Sequence, residues 1–275
     1  VKPPRLFGLH AEPGRALAIA LAVTPFVLIA LAYLVASQLR LASNPDDKLL
    51  PSLGSMLEAF SRMAFEADKR SGEYLLWADT LASLRRLACG VGLSAVVGFA
   101  VGLNIGLFPG LGALARPVVT FLSIIPPLAI LPILFIALGV DEVSKVALIF
   151  LGTVFVFTRD TTLAVRALPI EQITKALTLG ASELDVVYRV VLPQILPRLL
   201  ETVRLSMGAA WLFLIAAEAI AATDGLGYRI FLARRYLSMD IIIPYVLWIT
   251  FLGFGLDYSL RRLLSWRFAW YEART

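Results

Sequence analysis

The sequence predicts an all-α membrane protein with six transmembrane helices. Two observations carry that prediction. Of 275 residues, 59% are hydrophobic and 16% charged, with a mean hydropathy of +0.81. Soluble domains run nearer about 45–50% apolar and about 25% charged. The apolar residues also gather into six runs, and a hydrocarbon core of about 30 Å asks for roughly 20 helical residues per span. The single cysteine, Cys89, lies in one of these runs and allows no intrachain disulfide. One histidine, His10, provides no His-based metal site. The formal charge of +5 is read as basic flanks of membrane spans rather than a nucleic-acid footprint. Membrane lipid is therefore an expected partner and nucleic acid is not.

Residues 1–15 form a short basic tail, with Lys2, Arg5 and Arg15 against Glu12. Residues 16–36 are the first span. It lacks a small-residue cleavage site and reads as an anchor rather than a removed signal peptide. Pro25 inside it is tolerated in a membrane helix, at the cost of a kink. Residues 37–79 are the longest polar segment, with five basic and seven acidic residues. Within it LGSMLEAFSRMAF, from Leu53, reads as an amphipathic helix with an apolar face of Leu53, Met56, Leu57, Phe60 and Ala64. That helix either rests on the outer membrane face or packs on its own domain.

The core runs over 80–262. Its first span, 80–108, carries Gly98, Gly102 and Gly106 at a spacing of four, which lets a neighbouring helix approach closely. Arg85 and Arg86 fall on the side assigned as outside, and are expected to pair with acids such as Asp79 or to snorkel. The third span, from Arg116 to Leu138, holds Pro126, Pro127 and Pro132. Three prolines cannot leave an unbroken helical ladder, and freed carbonyls must face protein or a wet cavity. Either a translocation path or a buried kink satisfies this. A fourth span begins at Val146 and runs to Val165. The fifth covers 197–222, an outer loop 223–240, and the sixth begins at Ile241. Arg261, Arg262, Arg267 and Arg274 stand against Glu272 near the end, and 263–275 is read as a second tail.

Between the fourth and fifth spans lies a polar island, 169–197, PIEQITKALTLGASELDVVYRVVLPQILP. Apolar residues at three- and four-residue spacing predict one short helix over Ile170–Leu179 and another over Glu183–Val191. Gly180 stops the first, Ser182 caps the second with Asp185 three positions on, and Leu192-Pro193 is expected to end it. The shape suits docking of a partner, or an ordinary loop lying on the headgroups.

Glu218 is the other residue that stands out. It has no charged neighbour within five positions and lies near the end of the fifth span. A carboxylate there needs water or a partner. It lines a path or gate, or it pairs with an arginine such as Arg85, Arg86 or Arg229. Gly225 and Gly227 are expected to turn the backbone tightly just beyond it.

The island resembles the cytoplasmic loop of binding-protein-dependent ABC importer permeases, whose pattern is E-A-A-x-x-x-G and then, nine residues on, I-x-L-P. Gly180 falls on the glycine, Ala176 on the second alanine, Val190 on the isoleucine and Leu192-Pro193 on the final pair. Thr174 and Lys175 depart from it, standing where that family has Glu and Ala. SLRRLACGVGLSAVVGFAVGLNIGL, IIPPLAILPILFIALGV and AAEAIAATDGLGYRI follow the order seen in permeases of the nitrate, bicarbonate, taurine and alkanesulfonate group. NPDDKLLPS and AEAIAATDGLGYRIFLARRYL are similar to its urea- or guanidine-associated branch.

The resemblance implies a type I ABC importer transmembrane domain with a cytoplasmic coupling-helix loop. Thr174, Lys175, Ala176, Gly180, Ala181, Ser182, Glu183, Leu192 and Pro193 would couple it to an ATPase, and Pro126, Pro127 and Glu218 would serve the path or gate. It implies two ATPase subunits, a second permease chain (a homodimer being expected) and a periplasmic or lipid-anchored solute-binding protein. No cofactor is expected on this chain: it has no G-x-x-x-x-G-K-[ST] stretch, so ATP and Mg would sit on the partner ATPase. No hydrolase or zinc motif occurs, so a transport subunit rather than an enzyme is expected.

Both tails are net positive and the long first loop is net negative. The positive-inside rule puts both termini and the island in the cytoplasm of a multi-pass bacterial inner-membrane protein. The loop 223–240, with Arg229, Arg234 and Arg235 against Asp224 and Asp240, runs against that rule. The rivals are an ion-coupled secondary transporter, for which Glu218 would be the ion site, and a non-transporting membrane scaffold.

Overall fold

The computed structural model describes residues 14–45, 47–69 and 71–272. Most of the predicted N-terminal tail (1–13) and the last three residues of the C-terminal one lie outside the described residues. Among those described there is no strand. The helices are α1 (Arg15–Ser43), α2 (Leu53–Phe65), α3 (Leu75–Leu107), α4 (Pro109–Ile124), α5 (Leu131–Leu138) and α6 (Glu142–Arg166). They continue as α7 (Ile170–Thr178), α8 (Glu183–Asp185), α9 (Leu192–Ala221), α10 (Leu226–Arg235), α11 (Met239–Arg267) and α12 (Ala269–Glu272). Five helices are long and apolar enough to cross a membrane, and α4 with Pro127–Leu138 makes a sixth span bent by 80°.

That bend is written in the prolines. A proline disfavours the helical region for the residue before it. Ile125, before Pro126, and Pro126, before Pro127, both take extended backbone, with ψ of 122° and 119°. A short 3₁₀ turn, Pro127–Ile130, then leads into α5, whose own Pro132 sits harmlessly in the first turn. The span starts earlier than the sequence indicated. Pro109 begins α4, so Arg116 lies inside the helix rather than at its head.

The helices α3 and α6 form the spine of the fold. Gly90, Gly98, Gly102 and Gly106 all turn toward α6. A methyl group added to them would lie 2.6 Å from Ile149 Cβ, 2.7 Å from Phe157 Cβ, 2.5 Å from the Thr158 carbonyl and 2.7 Å from Val165 Cβ. The four-residue stripe therefore does what small residues do between membrane helices: it brings two backbones together. Across this seam Thr153 donates to Ser94 at 2.8 Å, and Ser94 donates to the Phe150 carbonyl at 3.0 Å.

The long α9 packs against this pair, with Ala210, Leu214 and Ala217 fully buried beside Leu148, Ile149 and Phe157. Its entry corrects the sequence reading. Leu192-Pro193 does not end a helix. A π-helical turn, Val186–Val191, runs straight into α9, and Pro193 falls in the first turn, where a missing N–H costs least. Most of the predicted loop 223–240 between the last two spans is folded as helix α10.

The amphipathic α2 packs on its own domain, against α11, with Met56, Ala59 and Ala64 buried. Leu53 and Leu57 remain exposed. The anchor helix α1 touches the rest mainly near its C-terminal end. There Tyr33 donates to the Pro51 carbonyl at 2.7 Å and Ser37 to the Leu50 carbonyl at 3.0 Å.

Candidate functional site

The residues singled out by sequence fall at two opposite ends of α6 and α9, with the proline bend as a third, separate feature. At one end α7, α8 and the π-helical turn make a hairpin. Gly180 closes α7 at φ +89°. Its N–H bonds the Leu177 carbonyl at 3.0 Å, while the Ala181 N–H bonds the Ala176 carbonyl at 3.1 Å. This pair is a Schellman closure, which needs a left-handed residue where glycine stands. Ser182 then caps α8: its hydroxyl accepts from the Asp185 N–H at 3.1 Å, and Asp185 Oδ2 accepts from the Ser182 N–H at 3.2 Å. Asp185 thus fills the place of the usual Glu or Gln in a capping box.

The hairpin has two faces. Ile173, Ala176, Ala181 and Val190 pack inward on a cluster of Val165, Val186, Val191 and Ile195. Gln194 of α9 donates to Gln172 of α7 at 2.9 Å. Thr174, Lys175, Gly180, Ser182, Glu183 and Pro193 are exposed, and Leu192 is half-buried. The outward face also carries Leu179, Leu184 and Tyr188, 79%, 69% and 64% exposed. Leu184 shares the three- and four-residue spacing that predicted the second helix, yet it faces outward. Helical periodicity marks apolar positions but not which of them a neighbour covers.

At the other end Glu218 is fully buried and paired with Arg86, itself 1% exposed, at 2.8 Å. Ser83 donates to the same carboxylate at 2.8 Å and the Gly227 N–H at 2.8 Å. Arg86 also grips Glu142 with two hydrogen bonds of 2.6 Å and bonds the Asp224 carboxylate. Lys145 joins Glu142 at 2.9 Å.

Next to this hub Asp79 accepts from the Gly225 N–H at 2.9 Å and from Arg229 at 2.8 Å. Burial opposes the charge on Arg229, but the hydrogen bond and the negative charge of Asp79, with Tyr245 and Tyr228 nearby, together outweigh it and raise the Arg229 pKa. Arg85 and Arg86 do pair with acids as expected, though not with Asp79: Arg86 takes Glu142, Glu218 and Asp224, the exposed Arg85 reaches Glu142 at 3.8 Å, and Asp79 belongs to Arg229. Gly225 adopts φ +110°, and a methyl group there would sit 2.5 Å from Glu218 Cδ and 2.7 Å from Arg86 Nη1. Only glycine fits.

Chemically this hub holds rather than reacts. Both Glu218 oxygens already accept hydrogen bonds. Charges buried this way are tolerable because each is paired, and the pairs tie α3, α6, α9 and the corner before α10 together. Pro126 and Pro127 meet neither end. They shape a bend whose Ile124, Ile133 and Ile136 stay 73%, 62% and 86% exposed.

The sequence also matches known proteins. Residues 91–266 match the family of binding-protein-dependent transport system inner membrane components. The taurine transport system permease protein TauC of Escherichia coli K12 is 34% identical over 188 residues, 68% of each chain. The bicarbonate transport system permease protein CmpB of Synechococcus elongatus is 33% identical, covering 71% of this chain and 69% of that one. A probable ABC transporter permease of Brucella abortus is 36% identical over 69% of this chain and 77% of its own.

Among solved structures, an inward-facing MetNI methionine ABC transporter shares the fold, with a TM-score of 0.62 at 17% identity. That match covers 72% of this chain and 98% of the other. With its helical spans, its hairpin and these relatives together, the chain belongs to the binding-protein-dependent transport system inner membrane component family and is a permease subunit of an ABC importer.

Proposed function

We propose that this permease forms one half of the path for a small polar solute and that the hairpin 170–191 is where an ATPase subunit docks. Two ATPase subunits, carrying ATP and Mg, would act beneath two permease chains, taken here as identical. A periplasmic or lipid-anchored binding protein would deliver the solute. Both termini and the hairpin would face the cytoplasm, and the Arg86–Glu218 hub would sit at the periplasmic end as an outer gate anchor. Residues 80–262 would be the permease core, and the bend at Pro126 and Pro127 would lie along the path. The taurine and bicarbonate systems of the relatives favour a sulfonate or bicarbonate as solute, and the sequence resemblance adds nitrate and a urea- or guanidine-type nitrogen compound as candidates.

One observation carries this reading: the hairpin is pinned on its inner face while Leu179, Leu184 and Tyr188 stand exposed on the other. A short, packed pair of helices moves as a body, so a push on that face reaches α9 directly. An ion-coupled carrier is not favoured, because its candidate ion site, Glu218, is already filled by Arg86, Ser83 and Gly227.

The test is to purify the chain with ATPase subunits of its host and measure ATP hydrolysis in lipid with and without loaded binding protein. Stimulated hydrolysis in the wild type, lost in Gly180→Trp and Leu192→Asp while both variants remain in the membrane, is the expected result. Normal ATP-driven uptake by both variants would sink the docking role.

A further inference from the structure

The face of α9 that meets α11 carries two buried donors with nothing to donate to. Trp211 is buried, yet its Nε1 has no hydrogen-bond partner among the described residues. Seven positions earlier, two turns along the same face, Arg204 Nε is buried and equally unpartnered. Asp257 of α11 stands 3.4 Å from it, too poorly aligned for a hydrogen bond, and also pairs with Arg261 at 3.0 Å.

These groups border a notch rather than a packed seam. Gly208 lies between Arg204 and Trp211 on α9, and nothing comes within 4 Å of a methyl group added to it. Gly208 is exposed, so the notch opens on the surface of the bundle. Opposite, a methyl group on Gly253 of α11 would meet only Trp211 Nε1, at 3.7 Å. The seam of α3 and α6 is the reverse, since Gly90, Gly98, Gly102 and Gly106 leave no room for a methyl group.

The notch is deep. At roughly 1.5 Å rise per residue, Arg204 is about 18 Å and Trp211 about 28 Å from the start of α9, and Asp257 is about 15 Å from the end of α11. That is further in than flanking charge reaches, and an ionisable group inside a span is a functional candidate by default. Hydrocarbon gives a donor no acceptor and a charge no solvation, so a notch of this composition does not face lipid tails. The anchor α1 has the surface that does: Ile19, Phe26 and Ile29 stand exposed and apolar.

We propose that Arg204, Gly208, Trp211 and Asp257 form this chain's wall of the aqueous translocation path, where the Trp211 N–H and the Arg204 guanidinium are offered to a polar solute with acceptor atoms. This rests on the permease reading above and says which helix seam faces the path. With an acid and a base both present, the wall sets a local potential without reserving the path for one sign of charge. Because α9 continues directly from the hairpin, the wall moves when the hairpin is pushed.

The test uses the full chain carrying Cys89→Ser, in phosphatidylcholine nanodiscs. Gly208→Cys and Gly253→Cys each introduce one thiol where there is room, and their labelling is compared with that of Phe26→Cys on α1. The probes are methanethiosulfonate ethylsulfonate, an anion, and its cationic trimethylammonium counterpart. Both glycine positions should label about tenfold faster than Phe26→Cys or better, because a thiol in hydrocarbon is scarcely ionised and only the thiolate reacts.

Arg204→Gln should shift the anion-to-cation rate ratio at Gly208→Cys about threefold or more toward the cation, the effect of one unit charge a helical turn away in water. Asp257→Asn should shift it the other way. A pair that only holds helices together would leave the ratio alone. The Trp211 indole N–H, identified among the five tryptophans by its loss in Trp211→Phe, should exchange with deuterium faster than the backbone amides of α9.

Labelling at Gly208→Cys as slow as at Phe26→Cys, an unchanged charge ratio in Arg204→Gln, or an indole N–H as protected as the helix backbone would overturn the proposal. So would disulfide-linked dimers through Gly208→Cys without labelling, which mark a dry contact between two copies. The assay contains no ATPase and no binding protein, so failure of hairpin docking would leave its result standing, and a dry notch would leave hairpin docking standing.

Discussion

The two ends of α6 treat arginine in opposite ways. At one end Arg86 is shared among Glu142, Glu218 and Asp224, and Arg229 is held by Asp79. At the other end Asp160 is taken by Arg198, and Arg159 and Arg166 of the same helix, with Arg116 opposite, stand exposed around a cavity with no acid. The first arrangement is closed: every carboxylate oxygen of Glu218 is already engaged, and the corner at Gly225 is filled to van der Waals contact. The second has donors to spare. A saturated, buried ion cluster fixes helices to one another; exposed arginines with no acid beside them do not. The same residue type therefore locks helices together at one end and stands as an exposed charge at the other, and the neighbours decide which.

Removing a partner from the closed end should have the largest effect. Glu218→Ala leaves Arg86 short of a buried acid and should cost about 3–5 kcal/mol, read as a fall in thermal unfolding temperature and folded yield in detergent. Glu218→Gln, which keeps the hydrogen bonds of Ser83 and Gly227 within reach, should cost less. Equal yields and melting temperatures for wild type and Glu218→Ala would show that the cluster is ornamental. At the open end, by contrast, Arg159→Gln should leave the melting temperature unchanged within error, because no acid is orphaned by it.

The helix seam gives the next effect. Gly102→Ala puts a methyl group 2.5 Å from the Thr158 carbonyl and forces α3 from α6, an overpacking cost of about 1–3 kcal/mol. Gly92→Ala, on the same helix but facing open space, should be neutral or slightly stabilising. If both variants melt alike, the stripe does not hold the two helices together.

Much of this was legible in sequence because it is local. The amphipathic α2 came out over the stretch that its spacing marked. Gly98, Gly102 and Gly106 announced a close helix contact, and Gly180 with Ser182 announced a turn and a cap. The helix break at Pro126 and Pro127 followed from the backbone limits of proline. The failures are of two kinds. Leu192-Pro193 was read as a stop, but a proline can sit in a first helical turn, and the π-helical turn ahead of it is not encoded by any single residue type. An arginine partner for Glu218 was expected among Arg85, Arg86 and Arg229, and Arg86 is that partner; that Arg86 also takes Glu142 and Asp224, 56 and 138 positions away in sequence, is information no periodicity carries. That Arg116 and Arg159 stand around one cavity was missed for the same reason: they look like ordinary flanks of separate spans until the fold sets their helices side by side.

The smallest expected effect separates backbone conformation from crowding. Gly180 and Gly225 both take positive φ, +89° and +110°. Beside Gly225 stand Glu218 and Arg86, whereas nothing lies within 4 Å of a methyl group added at Gly180. Gly180→Ala should therefore cost only the left-handed backbone term, roughly 1–2 kcal/mol, while Gly225→Ala adds a collision with the ion cluster and should be clearly worse. The pair can be compared by thermal unfolding in one detergent. If docking depends on the hairpin's shape rather than on the Gly180 side being bare, Gly180→Ala should retain most ATPase stimulation while Gly180→Trp loses it. Equal loss in both would move the requirement from the exposed surface to the turn itself, and the Schellman closure would become the element that the ATPase reads.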